Sequence, residues 1–230
     1  MAKRVESATA GGLFPVVVGG DCSIVLGTTL GARTAMGGAI GLAYVDGHAD
    51  FATPDESRTG SAASVCLGMT VGRGDTPLAR PAGGEPLVNA HNVALIGRRD
   101  FDEPWYGHEA LARSGVLDLP HSVARAKGYA ATASGALERL TDSSLAGFWV
   151  HVDVDVIDPL VMAAVDSPLP DGPGMEELEG LLAPLVRHPR ALGMELTIYD
   201  PALDSNRSCG ERLVTLLERL FATSPAGLAR

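Results

Sequence analysis

The sequence predicts an α/β fold in three layers, with helices on both faces of a mainly parallel sheet. Five apolar runs are typical of strands buried on both faces, and stretches with helical spacing lie between them. The alternation of strand and helix predicts parallel pairing, because parallel strands need a crossover connection. At 230 residues the chain is within the range of one large domain, so we assign residues 1–230 to a single domain.

The predicted elements alternate from residue 14 onward. The strands are FPVVV, AIGLAYV, NVALIG, GFWVHVDV and ALGMELTIY, at 14–18, 39–45, 92–97, 147–154 and 191–199. The helices are at 23–35, 109–115, 129–140, 174–188 and 211–222. The Gly- and Pro-rich stretch 72–86 predicts a long surface loop. A strand beginning near residue 14 leaves little room for earlier elements, so we expect the fold to be shortened at its N-terminus.

The composition excludes several classes of partner. Asp and Glu outnumber Lys and Arg 28 to 18, and this net charge of −10 argues against binding to nucleic acid. No apolar run approaches the roughly 18 residues of a membrane span. The three cysteines are widely spaced and form no CxxC pair, which indicates a reducing, cytoplasmic location. We expect a small cationic or polar ligand.

Two acidic motifs come at the ends of predicted strands. DGHAD follows AIGLAYV, and HVDVDVIDP lies within and after the fourth strand. In an extended segment alternate side chains share a face, and the carboxyl ends of parallel strands border one crevice. We therefore expect the alternating residues of the two motifs to converge. They are Asp46, His48, Asp50, His151, Asp153 and Asp155.

Several carboxylates in one crevice repel one another unless cations lie between them. Carboxylate and imidazole ligands suit Mn²⁺ first, with Fe²⁺, Co²⁺ and Zn²⁺ as alternatives. Two ions about 3.5–4 Å apart would share bridging aspartates and lower the pKa of a bridging water. Either motif alone is more often a turn or a strand end, so the conjunction of the two carries the prediction of a metal site.

Four segments together resemble the arginase, agmatinase and formimidoylglutamase family of ureohydrolases. GGDCS at 19–23 resembles the family's GGDHS, and DGHADFATP resembles its DAHxD segment. HVDVDVIDP resembles SFDxDxxDP, and MELTIYDP resembles the last-strand segment ending in EVNP. The segments occur in the family's order over about residues 14–205.

The resemblance implies a binuclear Mn²⁺ centre whose hydroxide attacks a guanidinium or amidine carbon. By position, Asp46 and Asp153 would bridge the ions, Asp50 would bind the first, and His48 and Asp155 would bind the second. The family's trimers and hexamers imply a homo-oligomer.

The resemblance breaks at Cys22, where the family has a histidine ligand to the first ion. A thiolate ligand prefers Zn²⁺ or Fe²⁺ to Mn²⁺, and the centre would then bind the first ion weakly or hold one ion. Two interpretations remain open: Cys22 is a metal ligand, or it lies nearby without binding. Asp21 is expected to orient the site from behind the ligands.

A second departure concerns proton transfer. The family's arginases carry a histidine about thirteen residues after DxHxD, but RTGSAASVCLGM at 58–69 contains none. His151, which shares a face with Asp153 and replaces a serine of the family, is the candidate proton donor to the leaving amine. A histidine merely packed in the core is the alternative. Asp155 is the candidate that takes a proton from the nucleophile, and Asp50 is the alternative.

The last departure concerns substrate binding. Alignment of the two terminal segments puts Ile198 where the family has its guanidinium-binding glutamate, while Glu195 lies three residues earlier. Glu195 would bind a cationic substrate only if a one-residue bulge or a shifted register of the strand turned its side chain into the pocket. Asp102 matches a family position that contacts the substrate's α-amino group, and its alternative is a loop acid.

Two functions follow. The first is a metal-dependent hydrolase of a linear C–N bond in an amidine or guanidino compound, such as an arginine derivative. The second is a catalytically impaired homologue that serves as a binding, regulatory or assembly subunit.

Overall fold

A computed structural model describes residues 1–81 and 84–222, and it contains one sheet of six parallel strands. The strands run, in spatial order, β1, β6, β5, β2, β3, β4. Their bounds are β1 Val16–Val18, β2 Gly41–Val45, β3 Val93–Ile96, β4 Leu117–Leu119, β5 Phe148–Asp153 and β6 Ala191–Thr197. The predicted three-layer α/β fold with a mainly parallel sheet is confirmed.

In the described residues, eight α-helices connect or flank these strands. They are α1 Ala2–Ala10, α2 Ile24–Met36, α3 Cys66–Thr70, α4 His108–Ala112, α5 His121–Lys127, α6 Tyr129–Leu140, α7 Met175–Val186 and α8 Ser208–Phe221. None of the helices in the described part of the chain is both long and apolar enough to cross a bilayer.

Each predicted strand and helix matches an observed element, with ends that differ by a few residues. The sequence analysis missed α1, α3, α5 and β4. Strand β4 is only three residues long and half-buried, so it lacks the long apolar run of a central strand. The expected loop at 72–86 contains turns where it is described, and residues 82–83 lie outside the described part.

The sheet separates two apolar cores. On one face, Val45 and Val150 pack with α6, α7 and α8. On the other face, Tyr44 and Trp149 pack with α1, α2 and α3. Adjacent residues of one strand thus enter opposite cores, as the alternation of a strand requires. The strand residues that enter both cores are almost completely buried, which explains why the central strands read as continuous apolar runs.

Helix α1 lies directly against α2 at a glycine. A Cβ at Gly31 would overlap the Ala2 carbonyl and lie 2.9 Å from the Val5 Cβ. Any side chain at residue 31 would therefore push the two helices apart. The buried Val5 side chain then joins the core beneath α2.

All six strands are parallel, so their carboxyl ends lie along one edge of the sheet. Strands β2 and β5 are neighbours at its centre, and the motifs DGHAD and HVDVDVIDP belong to them. The GGDCS turn follows β1, which pairs with β6 on the far side of β5. The topology therefore gathers all three motifs at this edge.

Candidate metal centre and active site

The acidic residues predicted to bind metal lie together at the carboxyl ends of β2 and β5. All are less than 6% exposed, although they carry charge-bearing side chains. They are Asp46, His48, Asp50, Asp153 and Asp155. Burial of so many acids needs compensating charge or proton uptake, which makes the cluster chemically distinct from a solvated loop.

Hydrogen bonds to backbone amides orient the first aspartate of each motif. The Asp46 Oδ1 accepts a hydrogen bond of 2.6 Å from the His48 amide, and the Asp153 Oδ1 accepts one of 2.7 Å from the Asp155 amide. Each aspartate thus closes a turn on the residue two places ahead. The result is that the two motifs end their strands with matching local geometry.

His48 lies between carboxylates of both motifs. Its Nδ1 is 3.0 Å from the Asp155 Oδ2 and 3.6 Å from the Asp46 Oδ1. Burial alone would lower the pKa of His48, but its hydrogen bonds to Asp155 and Asp46 raise the pKa to about 12. A protonated His48 would place a positive charge between the carboxylates of the two motifs.

Asp50 is held by a tyrosine from inside the sheet. The Tyr44 hydroxyl donates a 2.6 Å hydrogen bond to the Asp50 Oδ2, and the Cys66 Sγ lies 3.5 Å from the same oxygen. Asp50 has a φ of 46°, in the left-handed region that aspartate tolerates better than most residues. This conformation turns the chain away from the strand direction just after the motif.

The GGDCS turn brings Cys22 against the second motif. Gly19 and Gly20 have φ values of 102° and 80°, which residues with a Cβ rarely adopt. The buried Cys22 Sγ lies 2.6 Å from the Asp153 Oδ2 and 3.3 Å from the Thr197 Oγ1. Burial, a hydrogen bond with Cys66 and the charge of Asp153 raise the pKa of the Cys22 thiol well above its usual value.

The carboxyl groups of the cluster resist ionisation. Burial, followed by repulsion from neighbouring acids, raises the pKa of Asp46, Asp50 and Asp153, and for Asp50 and Asp153 the increase is large. A divalent cation would reverse this preference, because it favours the ionised form of every group it touches. Metal binding here would therefore release protons.

Among the described residues, two groups of donors have metal-binding spacing, and they share one carboxylate. The first is Cys22, Asp46 and His151, and the second is Asp46, His48 and Asp155, with ligand atoms within 4.8 Å of one another in each. The Asp46 Oδ2 is buried and has no hydrogen-bond partner. A shared aspartate with a free oxygen is the arrangement that a bridged pair of ions requires, so these residues fit a binuclear centre.

A cavity of about 140 Å³ opens onto the cluster. Five predicted ligands line it, together with the hydroxyl-bearing residues Thr59, Ser61, Ser64 and Ser167 and the carboxylate of Asp166. These hydroxyls and Asp166 were missed by the sequence analysis because they carry no local motif. The lining of the cavity is thus polar around a strongly acidic floor.

Ala63 also lines the cavity, about thirteen residues after DxHxD, where the family resemblance calls for a histidine. Ile198 lines the cavity from the end of β6. Its φ of 72° is exceptional for a β-branched side chain, and its amide donates to the Gly20 carbonyl at 3.0 Å. Backbone strain of this kind marks a position fixed by its surroundings.

The other predicted site residues do not line this cavity. His151 and Glu195 are fully buried against each other, 2.7 Å apart, so Glu195 is turned to His151 and not to the cavity. Asp102 is exposed and lines a separate cavity with His121 and Asp171. Asp21 is exposed, and its Oδ1 accepts a hydrogen bond from the Ser23 amide, which stabilises the turn into α2. Asp21 therefore shapes the segment that carries Cys22.

The geometry agrees with a comparison of the whole chain. Residues 1–222 match the model of the arginase family. The chain belongs to the arginase family. The ureohydrolase resemblance of the four sequence segments is thereby confirmed, and the order of those segments around the sheet now has its structural basis.

Relatives of this arginase-family chain include enzymes with two different named activities. It is 26% identical over 219 residues to an arginase of Staphylococcus aureus (strain COL), covering 95% of this chain and 71% of that protein. It is 28% identical over 228 residues to an N(omega)-hydroxy-L-arginine amidinohydrolase of Streptomyces lavendulae, covering 98% and 76%. The crystal structure of arginase from Bacillus subtilis superposes with a TM-score of 0.86 at 26% identity, covering 97% of this chain and 77% of that one.

Proposed function

We propose that this arginase-family chain is a metal-dependent hydrolase that cleaves a C–N bond of a small guanidino or amidino compound. The observation that supports the proposal most strongly is the pair of donor groups joined by Asp46 beside a polar cavity. The named activities of the relatives, arginase and N(omega)-hydroxy-L-arginine amidinohydrolase, point to the same bond type.

The two donor groups identify the residues that would bind two metal ions. Asp46 would touch both, His48 and Asp155 the second ion, and Cys22 the first, with Asp50 and Asp153 completing the shells. Two bound divalent ions would act as Lewis acids and lower the pKa of a bound water molecule, which would make hydroxide available at neutral pH. Because a sulfur donor favours softer ions, Zn²⁺, Fe²⁺ and Co²⁺ must be tried beside Mn²⁺.

The chain's own groups orient the substrate and handle its protons. The cavity of about 140 Å³ is well below the 300–1,000 Å³ of sites that enclose a drug-sized ligand, so it admits a planar head group and leaves the rest of the substrate outside. Asp155 is proposed to accept a proton, as its buried contact with His48 holds it at the cavity. Ala63 and Ile198 supply neither an imidazole nor a carboxylate.

These two positions also favour a second candidate, an impaired homologue that binds without turnover. Without a histidine near residue 63, the leaving amine must take its proton from water or from a hydroxyl group such as that of Ser64. Without a carboxylate at residue 198, a guanidinium is held by fewer charges. L-arginine is therefore a weaker candidate than a less basic analogue.

The test is a screen of the reconstituted protein. Chelator-treated protein is loaded with Mn²⁺, Co²⁺, Zn²⁺ or anaerobic Fe²⁺ and offered arginine, its N-hydroxy analogue, agmatine and guanidino acids, with release of urea and amine measured. Hydrolysis of at least one compound that depends on metal and is abolished by Asp155→Asn supports the enzyme. Saturable binding of a compound without turnover under every metal supports the impaired homologue and contradicts the proposal.

A trimeric or hexameric assembly and a cytoplasmic location remain predictions from the resemblance and the composition. Light scattering coupled to size-exclusion chromatography measures the assembly directly.

A further inference from the structure

We propose that His151 is a metal ligand through its Nε2, and that Glu195 is the carboxylate that positions it. This assignment rests on the proposed metal-dependent function. It gives the first ion a mixed donor set of sulfur from Cys22, oxygen from Asp46 and nitrogen from His151.

The position of His151 follows from the register of three strands. Tyr44 of β2 is the register partner of His151 of β5, and Glu195 of β6 is its partner on the other side. The next row toward the strand ends includes Asp153 and Thr197, with Asp46 following β2. Alternate residues share a face, so His151 lies on the same face as Asp153, one row deeper.

Both neighbours of His151 constrain its ring. The Tyr44 ring stacks on the imidazole, with centroids 4.2 Å apart and an interplanar angle of 19°. The Glu195 Oε1 lies 2.7 Å from the His151 Nδ1, and both side chains are fully buried. The ring is therefore fixed in plane and rotation, as a preorganised ligand must be.

The remaining nitrogen has no partner. Within the described part of the chain, His151 Nε2 is buried without a hydrogen bond, and so is Glu195 Oε2. If the imidazole is neutral, Nε2 is an unsatisfied acceptor, and if it is protonated, Nε2–H is an unsatisfied donor. An unsatisfied buried polar atom destabilises the fold, and a purely structural histidine would leave that cost unrecovered. A cation at Nε2 accepts the lone pair and also stabilises the charge of Glu195.

The distances place that cation beside Cys22 and Asp46. The Cys22 Sγ, a carboxylate oxygen of Asp46 and a ring nitrogen of His151 lie within 4.8 Å of one another, close enough for all three to face a single ion. A carboxylate on one ring nitrogen and a metal on the other is the usual arrangement of metal-ligating histidines. The two motif departures, cysteine at 22 and histidine at 151, thus meet at one ion.

This role excludes the one that the sequence suggested for His151. Nε2 cannot bind an ion and donate a proton to a leaving amine at the same time, and Nδ1 is turned to Glu195. His151 is also fully buried and does not line the cavity into which a substrate would enter. The ligand role is the one that its surroundings support.

The experiment measures metal affinity and the Co²⁺ spectrum, not turnover alone. Chelator-treated wild type is titrated with Co²⁺ and Zn²⁺ by competition with a chromophoric chelator. His151→Phe keeps a ring stacked on Tyr44 but removes the ligand nitrogen. The affinity for one of the two ions should therefore fall by more than 100-fold. Glu195→Gln should lower the affinity for the same ion by about 10–100-fold. This is the usual effect of losing the carboxylate that hydrogen-bonds a metal-ligating histidine.

The near-ultraviolet sulfur-to-cobalt band identifies which ion is affected, because Cys22 is the sulfur donor of that ion. The band should fall with the affinity in His151→Phe. The matched control is His121→Phe, a second buried histidine that lies outside both donor groups and should leave both affinities unchanged. Circular dichroism of each metal-free variant checks its fold, and Glu195→Gln carries the test if His151→Phe does not fold.

The outcomes separate this inference from the proposed function. Two ions bound with unchanged affinity in a folded His151→Phe or Glu195→Gln would overturn the ligand role while leaving a metallohydrolase intact. The expected loss of one ion, combined with no hydrolysis of any guanidino compound, would support the ligand role and contradict the function. A wild type that binds no divalent ion would overturn both.

Discussion

Asp153 joins three parts of the site through a single carboxylate. Its Oδ2 contacts the Cys22 Sγ at 2.6 Å, and its Oδ1 receives the Asp155 amide. Burial and the neighbouring acids Asp155 and Asp46 raise its pKa well above the usual value. Without a cation, the ionised form of the Asp153 side chain is therefore unfavourable. A bound cation would stabilise that ionised form.

Asp153→Asn separates those two effects. In chelator the variant should unfold at the same temperature as wild type or higher, because repulsion within the acidic cluster is reduced. With saturating metal the wild type should gain about 2.7 kcal/mol of stability at 100 times its Kd, and the variant should gain little. Thermal unfolding with and without metal measures both, and Asp142→Asn at an exposed position is the control. A full metal-dependent gain in Asp153→Asn would contradict the ligand role.

Asp166 is the exposed carboxylate at the cavity that the sequence analysis did not identify. With Ile198 in place of an acid, Asp166 is our candidate partner for the cationic end of a substrate. Asp166→Asn should raise KM several-fold for a guanidino substrate and leave kcat within about twofold, since a lost binding contact that is equal in ground and transition states affects KM.

Asp102→Asn is the matched comparison, because Asp102 is equally exposed but lines a separate cavity. The family resemblance predicts that Asp102 contacts substrate, whereas its position predicts no effect. Steady-state kinetics of the two variants decide between them. An unchanged KM in Asp166→Asn would remove Asp166 from the substrate site.

At the level of elements, the contact of α1 with α2 depends on Gly31. Gly31→Ala would place a methyl group against the Ala2 carbonyl and the Val5 side chain, so we expect a loss of about 1–3 kcal/mol from overpacking. Gly135→Ala in α6 is the control, because its added Cβ meets nothing within 4 Å. That control should gain about 0.5–1 kcal/mol from helix propensity. Urea unfolding measures both, and equal stabilisation of the two variants would show that α1 does not pack on α2.

Arg99 ties together the segments that follow β5. Its guanidinium donates to the carbonyl groups of Asp155, Val156, Leu169 and Pro170 at 2.8–3.0 Å. These bonds join the end of the second acidic motif to the segment just after Asp166. The side chain therefore positions one metal ligand and one wall of the cavity at once.

Arg99→Lys keeps the charge but loses the planar fork that reaches several carbonyls. We expect a loss of about 1–3 kcal/mol, the range for buried acceptors left without partners, and a fall in kcat larger than the change in KM. Arg113→Lys, on an exposed i,i+4 pair with Glu109, is the control and should stay within about 0.5 kcal/mol. If both variants behaved alike, the positioning role of Arg99 would be wrong.

The sequence predicted the central strands and the acidic motifs well because both follow from short-range periodicity. Alternation within β5 placed His151 with Asp153, whereas Asp46 and His48 follow the end of β2 and are brought together by a turn. The same rule extended two residues back would have found Tyr44. Cys66, Asp166 and Ser167 had no such signal, because they reach the site from loops and a short helix whose path is set by tertiary packing.

Across the whole molecule, the carboxyl edge of one parallel sheet gathers residues that are far apart in sequence. Cys22 and Asp153 are 131 positions apart, yet their side chains are in contact. The net charge of −10 agrees with a site whose carboxylates would attract cationic ligands. Under the ligand role proposed above, His151 would supply at this edge the imidazole that residue 22 lacks.

The most direct test of the account is the metal stoichiometry of the wild-type chain. Chelator-treated protein is dialysed against Mn²⁺, Co²⁺ or Zn²⁺, and bound metal per chain is measured by plasma mass spectrometry together with the unfolding temperature. The account predicts two ions per chain with at least one of these metals and a higher unfolding temperature when they are bound. No bound metal and an unchanged unfolding temperature with all three would contradict it.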